Sequence, residues 1–233
     1  MVIMKPTYEK SSAIRNIKMK DPSLSTRSDG LETRNRIIEC AGKLFARDGY
    51  EKTTSKSICS MARVNQAAVN YHFGSRDGLY VAVLEHIQDR IARLDTLTEI
   101  QTSSLPPLKK IESFFDFYIK SAFAKDNWPV QVWSRELLDP SPYLQTIITK
   151  KSLPKFFVIS KIFSEYLGFP TDDTRLYAAM LTVMSPFVIA CLGQNHPLTE
   201  QSPVKISKKE LLRQLRANAM LTLQALRNAA GSG

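Results

Sequence analysis

Residues 53–79 read TTSKSICSMARVNQAAVNYHFGSRDGL, and this stretch decides the fold. Thr54, Asn65 and Ser75 each precede a run that is compatible with a helix, and these residue types are preferred N-caps. The pattern predicts two short helices, separated by a turn at Arg63-Val64, and a longer helix after Ser75. Two short helices joined by such a turn are typical of a helix-turn-helix.

The second short helix, predicted over Gln66–His72, would protrude from the domain. Glutamine and asparagine can pair with the major-groove edge of adenine, and a small apolar side chain can touch a thymine methyl group. Tyrosine, threonine and basic side chains suit phosphate oxygens, which fix the register on the duplex. The residues expected at DNA are Thr33, Thr54, Lys56, Asn65, Gln66, Ala67, Asn70, Tyr71, His72 and Arg76.

The charge distribution agrees with this interpretation. The 233 residues include 32 Lys+Arg and 22 Asp+Glu, for a net charge of +10. From Lys52 to Arg76 there are four bases and no acid. A run of charge is usually a solvated face, but this one coincides with the predicted helix-turn-helix and therefore favours a nucleic-acid face.

Helical patterns flank the motif on both sides. A first helix is predicted from a capping box at Asp29 and Glu32 to a stop at Gly49, and a long helix is predicted from Ser75 through Leu94. We expect an all-α protein with a basic, disordered arm over 1–28 and a three-helix DNA-binding domain over 29–75. Its helix-turn-helix is expected at about 54–73. A long helix would join it to a second helical domain over 76–233.

The motif resembles the DNA-binding domain of TetR-type transcriptional regulators. The resemblance covers about Thr33–Leu94 and is strongest over Asn70–Leu79, which reads NYHFGSRDGL. Arg63 stands where the family usually has a turn glycine, Asn70 stands where it usually has an aromatic residue, and Arg76 replaces a lysine. The segment from Trp133 to Pro142 resembles the CecR-type subgroup more weakly. The family implies an all-helical homodimer that binds a double-stranded operator. It also implies that the helical domain over 76–233 is an effector-binding and dimerisation domain that takes a small molecule.

Later helices are predicted over Pro106–Ala124 and Asn127–Leu138, and then up to Leu167 with a bend before Pro154. Aromatic residues concentrate in this part of the chain, where they either line a ligand cavity or form a plain core. Arg135 and Glu136 either orient a polar ligand or hold the loop at Pro140. The candidate ligand residues are Phe115, Tyr118, Trp128, Trp133, Arg135 and Glu136.

The last two helices are predicted to form the dimer interface. One is expected from a cap at Thr171, with Asp172 and Asp173 in its first turn and a kink near Pro186. The other is expected after a loop at 194–206, from a capping box of Ser207 and Glu210. The alternative is that these helices only close the monomer's own core. The residues expected at the interface are Met180, Met184, Phe187, Leu212, Leu215, Ala219, Leu223 and Leu226.

Other function classes find less support in the sequence. The three cysteines are far apart, and the chain lacks the HExxH, GxSxG and P-loop motifs, so we expect no metal, no cofactor and no enzyme. The most apolar stretch, 177–192, is interrupted by polar residues and Pro186, so we expect a cytoplasmic protein without a membrane partner. The alternatives are an all-helical enzyme with a pocket near Trp133, Arg135 and Glu136, and a membrane-surface protein. A repressor is the form of regulation we expect.

Overall fold

The computed structural model describes residues 22–124, 128–193, 205 and 207–231, and the chain forms two compact units, 1–35 and 36–233. Every regular element within the described ranges is a helix, which confirms the all-α prediction. The elements are α1 (Pro22–Asp48), α2 (Ser55–Ala62), α3 (Gln66–Phe73), α4 (Arg76–Ile91), α5 (Leu94–Thr102), α6 (Pro107–Ala122), α7 (Trp128–Leu138), α8 (Leu144–Ile147), a π-helical turn (Ile148–Ser152), α9 (Leu153–Leu167), α10 (Thr174–Leu192) and α11 (Lys208–Ala230).

Helix α1 begins earlier than the sequence pattern predicts. It begins at Pro22 rather than near Asp29, because proline suits the first position of a helix, where its missing N–H is not needed. Residues 22–28 are therefore helical and not part of an arm, and the expected capping box at Asp29 is wrong. Residues 1–21 lie outside the described part of the chain, so the arm remains a prediction there.

The long helix predicted through Leu94 is interrupted. Helix α4 ends at Ile91 because Ala92 takes an extended conformation with φ −150°. Arg93 then pairs with Asp95 in the first turn of α5, with 2.5 Å between Nη2 and Oδ2. The break buries Leu97 completely and leaves Leu94 40% exposed, so the apolar stripe changes direction at this point.

The bend predicted before Pro154 takes the form of the π-helical turn at Ile148–Ser152. Proline cannot donate to the carbonyl four residues earlier, and the N–H of Leu153 instead reaches back to the carbonyl of Ile148. This wider turn lets α8 and α9 continue almost as one helix.

The start of α10 also differs from the prediction. Its N-cap is Asp173, which accepts the N–H of Arg175 at 2.7 Å, and not Thr171. Asp172 and Asp173 therefore precede the helix and are not in its first turn. Ser207 caps α11 as predicted, but Glu210 pairs with Arg213 and does not complete a capping box. The loop predicted at 194–206 falls almost entirely outside the described residues.

Two apolar cores organise the residues from Ile37 onward. The first joins the helix-turn-helix to α1 and α4, and it also takes in Trp128 and Val132 of α7. The ring of Trp128 lies directly over Gly42, where an added Cβ would come within 2.2 Å of it. The second core is built from α5, α6, α9, α10 and α11. Helix α7 therefore belongs to the core of the DNA-binding motif as well as to the C-terminal half.

Helix α10 is the most apolar element. Over Thr174–Cys191 it is long and apolar enough to cross a membrane by length and composition, but core helices of soluble proteins meet the same criteria. About a third of this stretch is buried inside the protein, and one side packs on α9 and α11. Exposed apolar residues remain on the rest of its surface.

Candidate nucleic-acid interface

The two short helices are held by their caps. The N–H of Ser57 donates to Oγ1 of Thr54 at 3.1 Å, and the N–H of Thr54 donates to Oγ of Ser57, which forms a capping box for α2. Oδ1 of Asn65 accepts the N–H of Ala68 at 2.9 Å and caps α3. Since isolated eight-residue helices are marginal in water, these caps help to fix α2 and α3.

The turn between the helices has a left-handed residue. Arg63 has φ 53° and ψ 49°, and it is the one non-glycine residue with positive φ among the described residues. The N–H of Val64 donates to the carbonyl of Cys59, and Arg36 donates to the carbonyl of Ala62 at 3.2 Å. An arginine in this conformation costs about 1 kcal/mol relative to glycine, so the turn is formed despite its sequence.

Helix α3 presents most of its surface to solvent. Val69 is its buried residue, and the opposite side carries Gln66, Ala67, Asn70 and Tyr71, all exposed. The ring of Tyr71 is 85% exposed, which is unusual for so large a side chain in the absence of a partner. These are the outward residues that the sequence predicts.

The amide side chains of α3 are hydrogen-bonded to each other. Nε2 of Gln66 donates to Oδ1 of Asn70 at 3.1 Å, across one turn of the helix. Sγ of Cys59 on α2 lies 3.5 Å from Oε1 of Gln66. The two amides therefore form a single polar patch in which donors and acceptors are fixed relative to each other, as base-edge recognition requires.

The expected phosphate contacts divide into two groups. Thr54 and Lys56 are exposed at the first turn of α2, where backbone N–H groups also point outward. Arg76 differs from the prediction because its guanidinium turns inward. It donates to the carbonyls of Thr53 and Tyr50 and stacks 4.2 Å from the ring centroid of Tyr50. Arg76 therefore positions the loop before α2.

The two remaining candidates occupy other positions. His72 is half-buried near the end of α3, in edge-on contact with the ring of Tyr71. Thr33 lies on α1, within the first compact unit.

A cluster of tyrosines behind the motif was missed by the sequence analysis. The hydroxyl of Tyr50 donates to Oδ1 of Asp77 at 2.5 Å and thereby lowers the pKa of that carboxyl. The ring of Tyr50 lies 4.4 Å from that of Tyr80, and Tyr143 packs against both. These residues connect the α1–α2 loop to α4 and to the segment before α8. The clustering depends on tertiary packing, so spacing in the sequence gives no signal for it.

Glu136 holds the loop at Pro140. The carboxylate is 2% exposed and accepts the hydroxyl of Tyr80 at 2.5 Å and that of Ser141 at 2.8 Å. Burial and this hydrogen bond raise the pKa of Tyr80. Arg135 is exposed and reaches the carbonyl of Arg47 at 3.4 Å. For Glu136, the structure therefore supports a role in holding the loop at Pro140 over the alternative of orienting a polar ligand.

The candidate ligand residues do not come together in one pocket. Arg135 and Glu136 border a cavity of about 460 Å³ beside Tyr50 and the Pro140 loop. Tyr118 and Trp133 border a different cavity of about 290 Å³, beside Lys155. The pocket expected near Trp133, Arg135 and Glu136 is therefore two cavities on either side of α7.

Phe115 and Trp128 line neither cavity. Phe115 is completely buried in the second core. The indole N–H of Trp128 donates to Glu39 at 2.9 Å, and its ring stacks on His86. Phe115 and Trp128 therefore belong to the hydrophobic cores and not to a ligand cavity.

The expected interface residues lie on the inner face of α10 and α11. Met180, Phe187, Ala219 and Leu223 are buried in the chain's own second core, and Met184, Leu212, Leu215 and Leu226 pack around them. Other apolar residues of these helices are exposed: Tyr177, Leu181, Val188 and Ile189 on α10 and Leu211 and Leu221 on α11. Of these, Val188 borders the 290 Å³ cavity and Tyr177 contacts Phe156, so they do not form one face with Ile189.

Comparison with known proteins adds two family matches. Residues 37–83 match the model described as bacterial regulatory proteins of the tetR family. Residues 109–226, about half of the chain, match the C-terminal domain of the HTH-type transcriptional dual regulator CecR. The two matched segments correspond to the region around the helix-turn-helix and to the helical part beyond it.

Curated relatives match over the N-terminal part. The chain is 27% identical over 90 residues to the HTH-type transcriptional repressor NicS of Pseudomonas putida, which covers 38% of this chain and 42% of NicS. It is 34% identical over 71 residues to the regulator TtgR of the same species, covering 29% and 34%. The chain thus spans less than half the length of these curated relatives.

Solved structures share the fold. PfmR from Thermus thermophilus superposes with a TM-score of 0.59 at 18% identity, covering 81% of this chain and 97% of that one. Mycobacterium smegmatis AmtR gives a TM-score of 0.60 at 16% identity, covering 85% and 92%. At these identities the likeness establishes the arrangement of helices alone.

Proposed function

Because the chain belongs to the TetR family of transcriptional regulators, we propose that it is a homodimeric, cytoplasmic repressor that a small molecule releases from its operator. Binding to DNA and regulation of transcription follow from the family. The sign of the regulation, the dimer and the effector are the parts that we infer.

The observation that carries the proposal is the exposed face of α3. Gln66, Asn70 and Tyr71 stand on a helix that is capped at Asn65 and fixed by the buried Val69. A recognition helix enters the major groove in this way, while Thr54 and Lys56 at the start of α2 reach the phosphate backbone. Arg76 supports this arrangement from behind by holding the loop before α2.

The exposed apolar face of α10 supports the dimer. Leu181 and Ile189 are 48% and 64% exposed. Ile189 borders a groove of about 520 Å³ together with Leu211 of α11. Two such faces from two chains would pack as a four-helix arrangement. A twofold dimer would then hold two recognition helices about 34–36 Å apart, in successive major grooves of a near-palindromic operator.

Helix α7 provides a route from effector to DNA. Trp133 and Leu137 face the 290 Å³ cavity, while Glu136 on the same helix holds Tyr80 of α4. An effector that prefers one position of α7 would therefore shift the position of α4 and of the motif packed on it. Such a shift is limited by the difference between the effector's affinities for the two states.

The enzyme alternative is removed. TetR-family regulators bind DNA and are not enzymes. Trp133, Arg135 and Glu136, the residues of the alternative site, are also divided between two cavities.

The test begins with an operator selected from random duplex DNA. In a gel-shift assay, Asn70→Ala and Gln66→Ala should each lower affinity for the selected site by about 1–3 kcal/mol. Lys56→Ala should weaken binding to all sequences and reduce the salt slope by about 1. Gln145→Ala and Lys161→Ala, exposed residues away from the motif, serve as matched controls.

Retention of wild-type affinity by both amide variants would remove α3 as the reading helix. A selection that returns no enriched sequence would contradict the proposal as a whole.

A further inference from the structure

A buried lysine, Lys155, is one of the residues that line the 290 Å³ cavity. Lys155 is 5% exposed, and its Nζ donates to the backbone carbonyl of Gln88 at 2.5 Å and to Oε1 of the same residue at 3.5 Å. An ammonium has three donor hydrogens. Among the described residues, the third has no acceptor, although buried polar groups are normally satisfied.

No carboxylate lies within hydrogen-bonding distance of Lys155 in the described part of the chain. The nearby carboxylate is that of Asp89, which is bound by Lys151 at 3.0 Å. The two lysines and one aspartate leave a local net charge of +1 beside the cavity. A buried charge without a counter-ion is costly, and the carbonyls at the end of α4 offset that cost only in part.

Burial lowers the pKa of Lys155 to about 8, so the group is still largely protonated at neutral pH. The cavity is therefore a place where a positive charge is held away from bulk water. An anion bound there would have one charge-assisted hydrogen bond to gain, and such bonds are stronger than those between neutral groups.

The rest of the cavity is mostly apolar and aromatic, and Gln88, Ser134 and Ser152 are its neutral polar residues. The rings of Tyr118, Trp133 and Phe156 line it together with aliphatic side chains, and no acidic residue takes part. The hydroxyl of Tyr118 has no hydrogen-bond partner among the described residues. A volume of about 290 Å³ is at the lower end for small-molecule sites, which favours a compact ligand.

We propose that this cavity binds a compact aromatic monoanion, whose carboxylate accepts from Nζ of Lys155 and whose ring packs against Trp133 and Phe156. The inference rests on the proposed function for its regulatory meaning, since it names the chemical class of the effector. The binding itself does not depend on DNA. An aliphatic dicarboxylate would leave its second charge against apolar walls, and a cation would meet the like charge of Lys155.

The rival explanation is that Lys155 only caps the C-terminal carbonyls of α4. The two explanations differ in what they predict for charge selectivity. A purely structural lysine would affect stability when replaced, but it would not make the cavity distinguish an anion from its neutral isostere.

Calorimetric titration of the full-length protein with three probes of one shape tests this directly. The probes are 2-naphthoate, 2-naphthamide and 2-naphthylmethylammonium. We expect the anion to bind at least about tenfold more tightly than the amide, and the cation to bind most weakly. Lys155→Met should bring the ratio of anion to amide affinity near one, while Lys151→Met, at the half-buried neighbour of equal charge, should leave it largely intact.

A second measurement needs no variant. Because an anion favours the protonated amine, binding of 2-naphthoate by the wild-type protein at about pH 8.5 should take up protons. Titrations in buffers of different ionisation enthalpy detect this uptake, and 2-naphthamide should show none. If Lys155→Met does not fold, this comparison still decides the matter.

Equal affinity for anion and amide, a preference for the cation, an unchanged ratio in Lys155→Met, or no binding of any probe would each overturn the inference. Operator binding by the free protein is measured separately. A protein that binds its operator but shows no anion preference refutes this inference alone. A protein that binds 2-naphthoate but no operator refutes the proposed function alone.

Discussion

Removal of one hydroxyl, in Tyr80→Phe, should both destabilise the protein and loosen its regulation. Tyr80 and Glu136 are 3% and 2% exposed, and their oxygens lie 2.5 Å apart. The ring of Tyr80 would keep its edge-on contact with Phe45, at 4.7 Å between centroids. The variant therefore tests the hydrogen bond between α4 and α7 with little change in packing.

The size of the effect on stability follows from the hydrogen bonds that Glu136 loses and keeps. Oε1 loses its donor, while Oε2 keeps the hydroxyl and the N–H of Ser141. An unsatisfied buried acceptor costs about 1–3 kcal/mol, and a charged one lies toward the upper end. We therefore expect Tyr80→Phe to lower the free energy of unfolding by about 2 kcal/mol. In a double-mutant cycle with Glu136→Leu, the double variant should lose less than the sum of the single variants, by about 1–2 kcal/mol.

Denaturant unfolding at one fixed protein concentration measures the stability, because a dimer's stability depends on concentration. Tyr166→Phe is the matched control, since Tyr166 is equally buried but lies in the second core with no carboxylate partner in the described residues. Gel shifts with and without 2-naphthoate measure the regulation, and the effector should change operator affinity less in Tyr80→Phe than in the wild type. A cost below about 0.5 kcal/mol, or an additive cycle, would refute the reasoning.

Three further predictions concern separate parts of the molecule. Arg63→Gly relieves the left-handed turn at φ 53°, so it should raise the free energy of unfolding by about 1 kcal/mol and the melting temperature by about 2–4 °C. Arg63→Ala should raise neither, and a lower stability of the glycine variant would contradict the strain. Ile189→Glu places a charge on the exposed face of α10 and should shift the sedimentation coefficient from that of a dimer to that of a monomer. The control Thr98→Glu on α5 should remain a dimer. A stable Ile189→Glu dimer would place the interface elsewhere. Affinity for 2-naphthoate should fall as pH rises through and above about 8, because the protonated form of Lys155 binds the anion. Asp89 and Lys151 also face this region. Burial raises the pKa of Tyr118 and brings that of Cys191 to about 12, so Tyr118 and Cys191 stay neutral over this pH range. An affinity for 2-naphthoate that does not change from about pH 7 to about 9.5 would exclude Lys155 as the binding group.

The helix-turn-helix could be predicted because its signals are local. Thr54, Asn65 and Ser75 cap their own helices through side chains that reach no more than three residues ahead, and the structure has all three caps. Gly49 likewise ends α1 at a positive φ of 83°. The exposure of Gln66, Asn70 and Tyr71 follows from the position of Val69 on an eight-residue helix.

The remaining features depend on contacts between distant residues. Nothing near Arg76 in the sequence indicates that its guanidinium turns toward the carbonyls of Tyr50 and Thr53. Composition gave the concentration of aromatic residues, but only packing separates Trp133, at a cavity, from Trp128, over Gly42. For α10, the sequence pattern predicted an apolar helix, but it did not show which face of the helix packs in the chain's own core.

The most direct test of the central claim is the affinity of the full-length protein for an operator selected from random DNA, compared between the wild type and Asn70→Ala. We expect an enriched, near-palindromic site bound by two chains. Replacement of Asn70 should lower affinity for that site about 10- to 100-fold and leave nonspecific binding unchanged. Enrichment of no sequence, or equal affinity of the two proteins for the selected site, would contradict the assignment of α3 as the helix that reads DNA.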